Sequence, residues 1–152
     1  MSYTGRCACG EVRLRIEGQP VAVRQCWCRQ CQYLTGGSAA HNAMFHTADV
    51  HIEGSLGTRT YVADSGNTIT QSFCAACATP IHAQSSARPQ FRTVRTGTLD
   101  QPHDLAPRMV IWTGQAPPWA ILDPSLEQHA GQPPAPSAAA MAHATPQATT
   151  AK

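Results

Sequence analysis

Seven cysteines are the residues in this chain best able to do chemistry, and they are not scattered. They fall as Cys7-x-Cys9, then Cys26-x-Cys28-x-x-Cys31, then Cys74-x-x-Cys77, so every one has a cysteine neighbour within three residues. An odd count argues against a disulfide framework, which uses cysteines in pairs. Clustered thiolates suit zinc, which binds sulfur at about 2.3 Å and takes four ligands in structural sites. Sulfurs around one such ion lie roughly 3.8 Å apart, whereas residues i and i+2 of a flat strand are about 7 Å apart at ~3.3 Å per residue. A strand carrying Cys-x-Cys must therefore bend, and Gly5 and Gly10 flank the first pair as permissive positions. Cys74-Ala75-Ala76-Cys77 has the knuckle spacing that brings two thiolates onto one ion.

Seven divides into four plus three. Four thiolates close a structural site, while three leave a coordination position open, which is what separates a catalytic zinc from a structural one. Two other arrangements fit the same sequence. A histidine such as His41, His46, His51 or His82 fills the open position and gives two closed sites, or Cys28-Arg29-Gln30-Cys31 acts as a redox pair without metal. The flanks of that second motif lack the strand-to-helix context of a thioredoxin-like fold. Spacing alone does not say which cysteines share an ion.

The elements that must hold these cysteines are short and mostly β. Val12, Leu14 and Ile16 alternate with Arg13, Arg15 and Glu17, the period-two signature of a half-buried strand. Val21 and Val23 begin another that runs into Cys26. Further strands are expected over 43–46, 50–53, 58–63, 67–73, 80–84, 91–97 and 108–113, separated by Gly, Pro, Asn, Asp or Ser. No segment offers three turns of helical periodicity. The chain has 152 residues and 42% hydrophobic content, but only 33 side chains are large and apolar, because alanine and cysteine supply nearly half of that fraction. So thin a core needs a metal or similar staple. The composition shifts near Gly131, giving a domain over residues 1–130 and a Pro/Ala-rich extension over 131–152 that is expected to be disordered.

Charge excludes several functions. A formal charge of +2, with 13% charged residues, gives no field of the kind a nucleic-acid binder needs. Lys152 is the only lysine, so neither a Schiff-base nor a phosphate-loop lysine is available. No apolar run approaches the ~20 residues of a membrane span, and the residues after Met1 show no apolar signal region. A cytoplasmic protein with reduced thiols is expected.

The chain resembles the glutathione-dependent formaldehyde-activating enzyme family, which also includes centromere protein V. The resemblance is carried by Gly5-Arg6-Cys7-Ala8-Cys9-Gly10-Glu11-Val12, by Cys26-Trp27-Cys28-Arg29-Gln30-Cys31 with Thr35-Gly36-Gly37-Ser38, and by Phe73-Cys74-Ala75-Ala76-Cys77 with Thr79-Pro80. It continues through Gly97-Thr98-Leu99-Asp100, Pro107 and Trp119, and covers roughly residues 3 to 122. It implies a mainly β, β-tent fold of stacked short antiparallel sheets with two zinc ions per chain. Matched position by position, Cys7, Cys9, Cys74 and Cys77 fall on the family's structural site, and Cys26, Cys28 and Cys31 on its three-thiolate catalytic site. Trp27 stands where the family commonly has His, and Ala78 where it commonly has Gly.

The activity implied is that of a carbon-sulfur lyase like S-(hydroxymethyl)glutathione synthase, joining a glutathione-type thiol to formaldehyde or a small aldehyde. Such a thiol has a net charge near −1. Arg29 and Arg24 lie beside the open site in sequence and can grip a carboxylate, while Thr35, Gly36 and Gly37 can offer backbone N–H groups. His103 and Asp104 are ordinary loop residues in this reading, and no general base is assigned. Two competing readings are a lyase for a different thiol and a non-catalytic zinc-stabilised interaction module, the latter drawing on Trp27 and the extension.

Overall fold

The computed structural model describes residues 1–134, so most of the 131–152 extension lies outside the described residues. Strands β1 (Ser2–Arg6), β2 (Arg13–Glu17) and β5 (Val50–Glu53) form a three-stranded antiparallel sheet in the order β1-β2-β5. The alternation in β2 is realised: Leu14 and Ile16 are buried, and Arg13, Arg15 and Glu17 face out. A larger sheet collects β3 (Ala22–Cys26), β4 (Ala40–His46), β6 (Leu56–Val62), β7 (Thr68–Cys74), β8 (Pro80–Ser85), β9 (Phe91–Arg95), β10 (Met109–Ile111) and β11 (Glu127–Gln128). Its order is β11-β10-β3-β4-β9-β8-β7-β6. The fold is the mainly β one of stacked sheets, with one local departure: β10 runs parallel to both β3 and β11. One short helix, α1 (Arg29–Leu34), follows β3.

The sheets face each other across the main core. Tyr3, Leu14, Ile16 and Val50 of the small sheet pack on Val23, Ala43, Phe45, Ile81 and Val94 of the large one, with the Tyr3 and Phe45 rings 5.7 Å apart. Gly5 lets β1 lie against the turn that follows β9, since a Cβ there would sit 2.3 Å from the Thr98 carbonyl oxygen. Strand alternation sends the neighbouring residues to the opposite face of the large sheet. Arg24 and Cys26 of β3 emerge there, and in register across the sheet Arg24 pairs with Asn42 and Asn42 with Arg95. One face of the large sheet thus builds the core and the other is free to build a site.

The chain pairs with β10 and the residues after it on either side of the expected domain boundary. The Val110 carbonyl accepts from the His129 N–H, and the Gly131 carbonyl accepts from the Trp112 N–H at 3.2 Å.

Candidate metal centres and cavity

Cys7 and Cys9 lie in the turn between β1 and β2, so it is this turn, rather than a bent strand, that brings them together. The Cys7 N–H donates to the Val12 carbonyl, the Gly10 N–H donates to the Cys7 carbonyl, and Gly10 has φ +84°. Cys74 ends β7 and Cys77 sits in the next turn, closed by the Ala78 N–H on the Cys74 carbonyl. The Cys7 and Cys9 sulfurs are 3.4 Å apart, those of Cys9 and Cys74 3.8 Å, and all four lie within 4.8 Å of one another. Cys7 and Cys74 are each 1% exposed and belong to the main core. The Val12 N–H donates to Cys7 Sγ. Hydrogen bonding from the Thr79 hydroxyl, 3.0 Å from Cys77 Sγ, lowers that thiol to about 5.

Cys26, Cys28 and Cys31 converge on the opposite face of the large sheet, their sulfurs again within 4.8 Å of one another. Cys26 ends β3; Cys28 caps α1, its sulfur accepting from the Cys31 N–H at 3.4 Å; Cys31 lies in the first turn. Hydrogen bonds from the Cys26 and Cys28 thiols lower Cys31 to about 3, and the Arg95 charge adds to this. The same contacts, together with burial, push Cys26 up. A divalent cation among them would hold all three as thiolates.

All seven cysteines are unbridged. Sulfur-only clusters at these separations, with N–H groups aimed at the sulfurs, are a donor set that fits soft or borderline metal ions such as zinc. No histidine joins either cluster among the described residues. His46 stacks on Phe91 at 4.9 Å, and His51 and His41 are exposed. His82 is buried, where desolvation, with the Arg92 and Arg95 charges, lowers it to about 4. His103 and Asp104 are not paired: His103 Nδ1 accepts from the Leu105 N–H, and Asp104 accepts from the Tyr3 hydroxyl at 3.0 Å.

A cavity of about 510 Å³ opens over Cys26, Cys28 and Cys31. Its charged lining consists of Arg24, Arg29, Arg88 and Arg95 with one carboxylate, Asp64. Arg95 Nη1 lies 3.8 Å from Cys31 Sγ and also donates to Asn42 Oδ1. Tyr61 faces the same space; burial first, then the Cys28 and Cys31 charges, push its phenol up to about 12. Of the residues expected to meet a substrate, Arg29 and Arg24 line this cavity. Thr35 lines a neighbouring one of about 430 Å³. Gly36 and Gly37 line neither; they have φ +71° and +105° and turn the chain out of α1, the Gly37 N–H donating to the Gln32 carbonyl.

Trp27 points away from the cavity. It is 3% exposed, packs with Ala39, Val110, Leu122 and Leu126, and meets Trp119 edge-on at 6.2 Å. The step from Cys26 to Trp27 reverses the side-chain direction, so the residue between the two cysteines does not line the site.

A family model described as glutathione-dependent formaldehyde-activating enzyme matches residues 2–115. No curated protein matches the chain. Among solved structures, a crystal structure of a Rhodobacter sphaeroides protein is similar in fold, with a TM-score of 0.54 and 22% identity over 66% of this chain and 91% of that one.

Proposed function

Because the chain belongs to the glutathione-dependent formaldehyde-activating enzyme family, we propose that it is a zinc-dependent carbon-sulfur lyase joining a glutathione-type thiol to formaldehyde over Cys26, Cys28 and Cys31. The observation that carries this reading is an asymmetry. One cluster has four sulfurs at the edge of the core, Cys7 and Cys74 buried in it and Cys9 exposed; the other has three, lining a cavity large enough for a small ligand. In the proposal Cys7, Cys9, Cys74 and Cys77 would hold a structural zinc, and Cys26, Cys28 and Cys31, which line the cavity, would hold a second. Zinc bound there supplies deprotonation of an incoming thiol, since coordination favours the thiolate.

The remaining work falls to the protein's own groups. Strand β3 and helix α1 hold the three sulfurs in a rigid frame, with the Cys28 cap fixing the start of the helix. Arg95 offsets negative charge at Cys31. Arg24, Arg29 and Arg88 draw an anionic thiol into the cavity, because carboxylates are attracted to guanidinium groups at short range. A carbon-sulfur bond forms as the carbonyl π pair moves onto oxygen, and the proton lost from sulfur reaches that oxygen through water. No electron passes to or from the protein. Seven unpaired thiols suit a reducing compartment such as the cytoplasm, and among the described residues no helix is long and apolar enough to cross a membrane.

Exchange spectroscopy tests the proposal. Zinc-loaded protein should accelerate interconversion of glutathione and its hydroxymethyl adduct in the presence of formaldehyde, and Cys31→Ser should return the rate to that of buffer. An unchanged rate in both would instead favour the interaction-module reading, which loses Trp27 as an exposed contact.

A further inference from the structure

We propose that Arg24 and Arg88 form a carboxylate subsite in the three-cysteine cavity, so that the thiol admitted there is an anionic one. Arg24 is the unusual group. Its side chain is 8% exposed, and its one hydrogen-bond partner among the described residues is the Met44 thioether, 3.3 Å from Nη2. A thioether is a weak acceptor. Burying a guanidinium without a carboxylate is unfavourable unless another anion completes it. The ion pairs among the described residues are Arg15 with Glu17 and His129 with Glu127, so no internal carboxylate does so.

Arg88 comes from the turn between β8 and β9, where its N–H donates to the Ser85 carbonyl, and its side chain lines the same cavity. The other two arginines are engaged. Arg29 lies over the Tyr33 ring at 5.0 Å and bonds to Gln32, while Arg95 holds Asn42 and approaches Cys31. Four guanidinium groups and one carboxylate line the space. Three thiolates with a divalent ion carry one net negative charge, so two positive charges remain uncompensated. The incoming thiolate balances one of them and a carboxylate the other.

Position fits as well. Arg24 and Cys26 are two residues apart on one strand, so their side chains leave the same face about 7 Å apart. A molecule with its sulfur at the cysteines therefore brings a carboxylate to Arg24 across a short spacer, as a cysteinyl-glycine unit does. This inference rests on the proposed function for the identity of the sulfur ligand, but not for the charge it selects.

Calorimetry with zinc-loaded protein separates the two. The probes are S-methylglutathione, whose blocked sulfur takes no part in chemistry, and its dimethyl ester. The acid should bind at least tenfold more tightly than the ester. Arg24→Met and Arg88→Gln should each bring the acid close to the affinity of the ester while leaving the ester unchanged. If Arg24→Met does not fold, Arg88→Gln, on a half-exposed turn, decides alone. Equal binding of acid and ester by the native protein, or acid binding unaffected by Arg88→Gln, overturns the subsite. Discrimination between acid and ester without faster adduct exchange retains the subsite and removes the thiol-aldehyde reading. Faster exchange that is equal for glutathione and its ester does the reverse.

Discussion

The Arg95 guanidinium on β9 reaches Cys31 Sγ at 3.8 Å while the same nitrogen donates to Asn42 Oδ1 on β4, so one residue ties the three-cysteine cluster to the middle of the large sheet. Groups that orient and neutralise metal ligands typically change metal affinity by about 10–100-fold when removed. Arg95→Met is therefore expected to release metal from the three-cysteine site at roughly tenfold lower chelator concentration, with the four-cysteine site unaffected and Arg95→Lys in between. Chelator titration with metal readout checks this. Release from both sites at native concentrations would show that the contact has no such role.

His82 sets an acid limit on stability. Its ring packs on the core side of β8, opposite Val94 of β9 and Ser72 of β7, with the Arg92 and Arg95 charges lowering its pKa in addition to burial. A folded value of about 4 against ~6.5 unfolded means the unfolded chain binds more protons between these values. The contribution is fully present above about pH 6.5 and is lost as pH falls through 6.5 toward 4. Its size is on the order of 3 kcal/mol. His82→Gln should flatten this part of the pH profile of denaturant stability; parallel profiles for both proteins would contradict it.

Ala78 follows the second knuckle cysteine with φ +60°, a left-handed conformation that costs a residue with a Cβ roughly 1–2 kcal/mol. Glycine gives back part of that advantage through the entropy of the unfolded chain. Ala78→Gly is expected to stabilise the protein by roughly 0.5–1 kcal/mol in chemical denaturation. A destabilised variant would mean that the turn does not carry this strain.

Trp27 explains why its position need not match the family's usual residue. Replacing it with His, the family's common choice there, removes an indole from an apolar cluster with Val110, Leu122 and Leu126 and its edge-on contact with Trp119. Trp27→His should cost about 3 kcal/mol or more, measured by denaturant unfolding, and leave the residues lining the cavity unchanged. Native stability together with faster thiol exchange would place this side chain in the site after all.

The strands were legible because their alternation is local. Leu14 and Ile16 on β2, and Val23 and Cys26 on β3, report their faces through spacing alone. Helix α1 was not, because six residues make less than two turns and its cap is a cysteine rather than a residue with strong capping preference. The cysteines announced a four-plus-three division, and the fold groups them that way. Arg95, Arg88 and Tyr61 are not legible in the sequence because they reach the cavity through pairings across distant strands, which no short window contains. Thr35, Gly36 and Gly37 looked like an anion loop because a glycine turn after a helix uses the same residue types.

If the two cysteine clusters hold two metal ions with different duties, metal content and adduct exchange respond separately when each cluster is broken. Zinc content and glutathione-formaldehyde exchange should be determined together for native protein, Cys26→Ser and Cys74→Ser. Native protein should hold two zinc ions and accelerate exchange. Cys26→Ser should fold, hold one zinc ion and show only the buffer rate. Cys74→Ser should unfold, since a structural zinc contributes on the order of 10 kcal/mol to a small domain. A folded, metal-free native protein, or Cys26→Ser with full exchange activity, would contradict this division of duties.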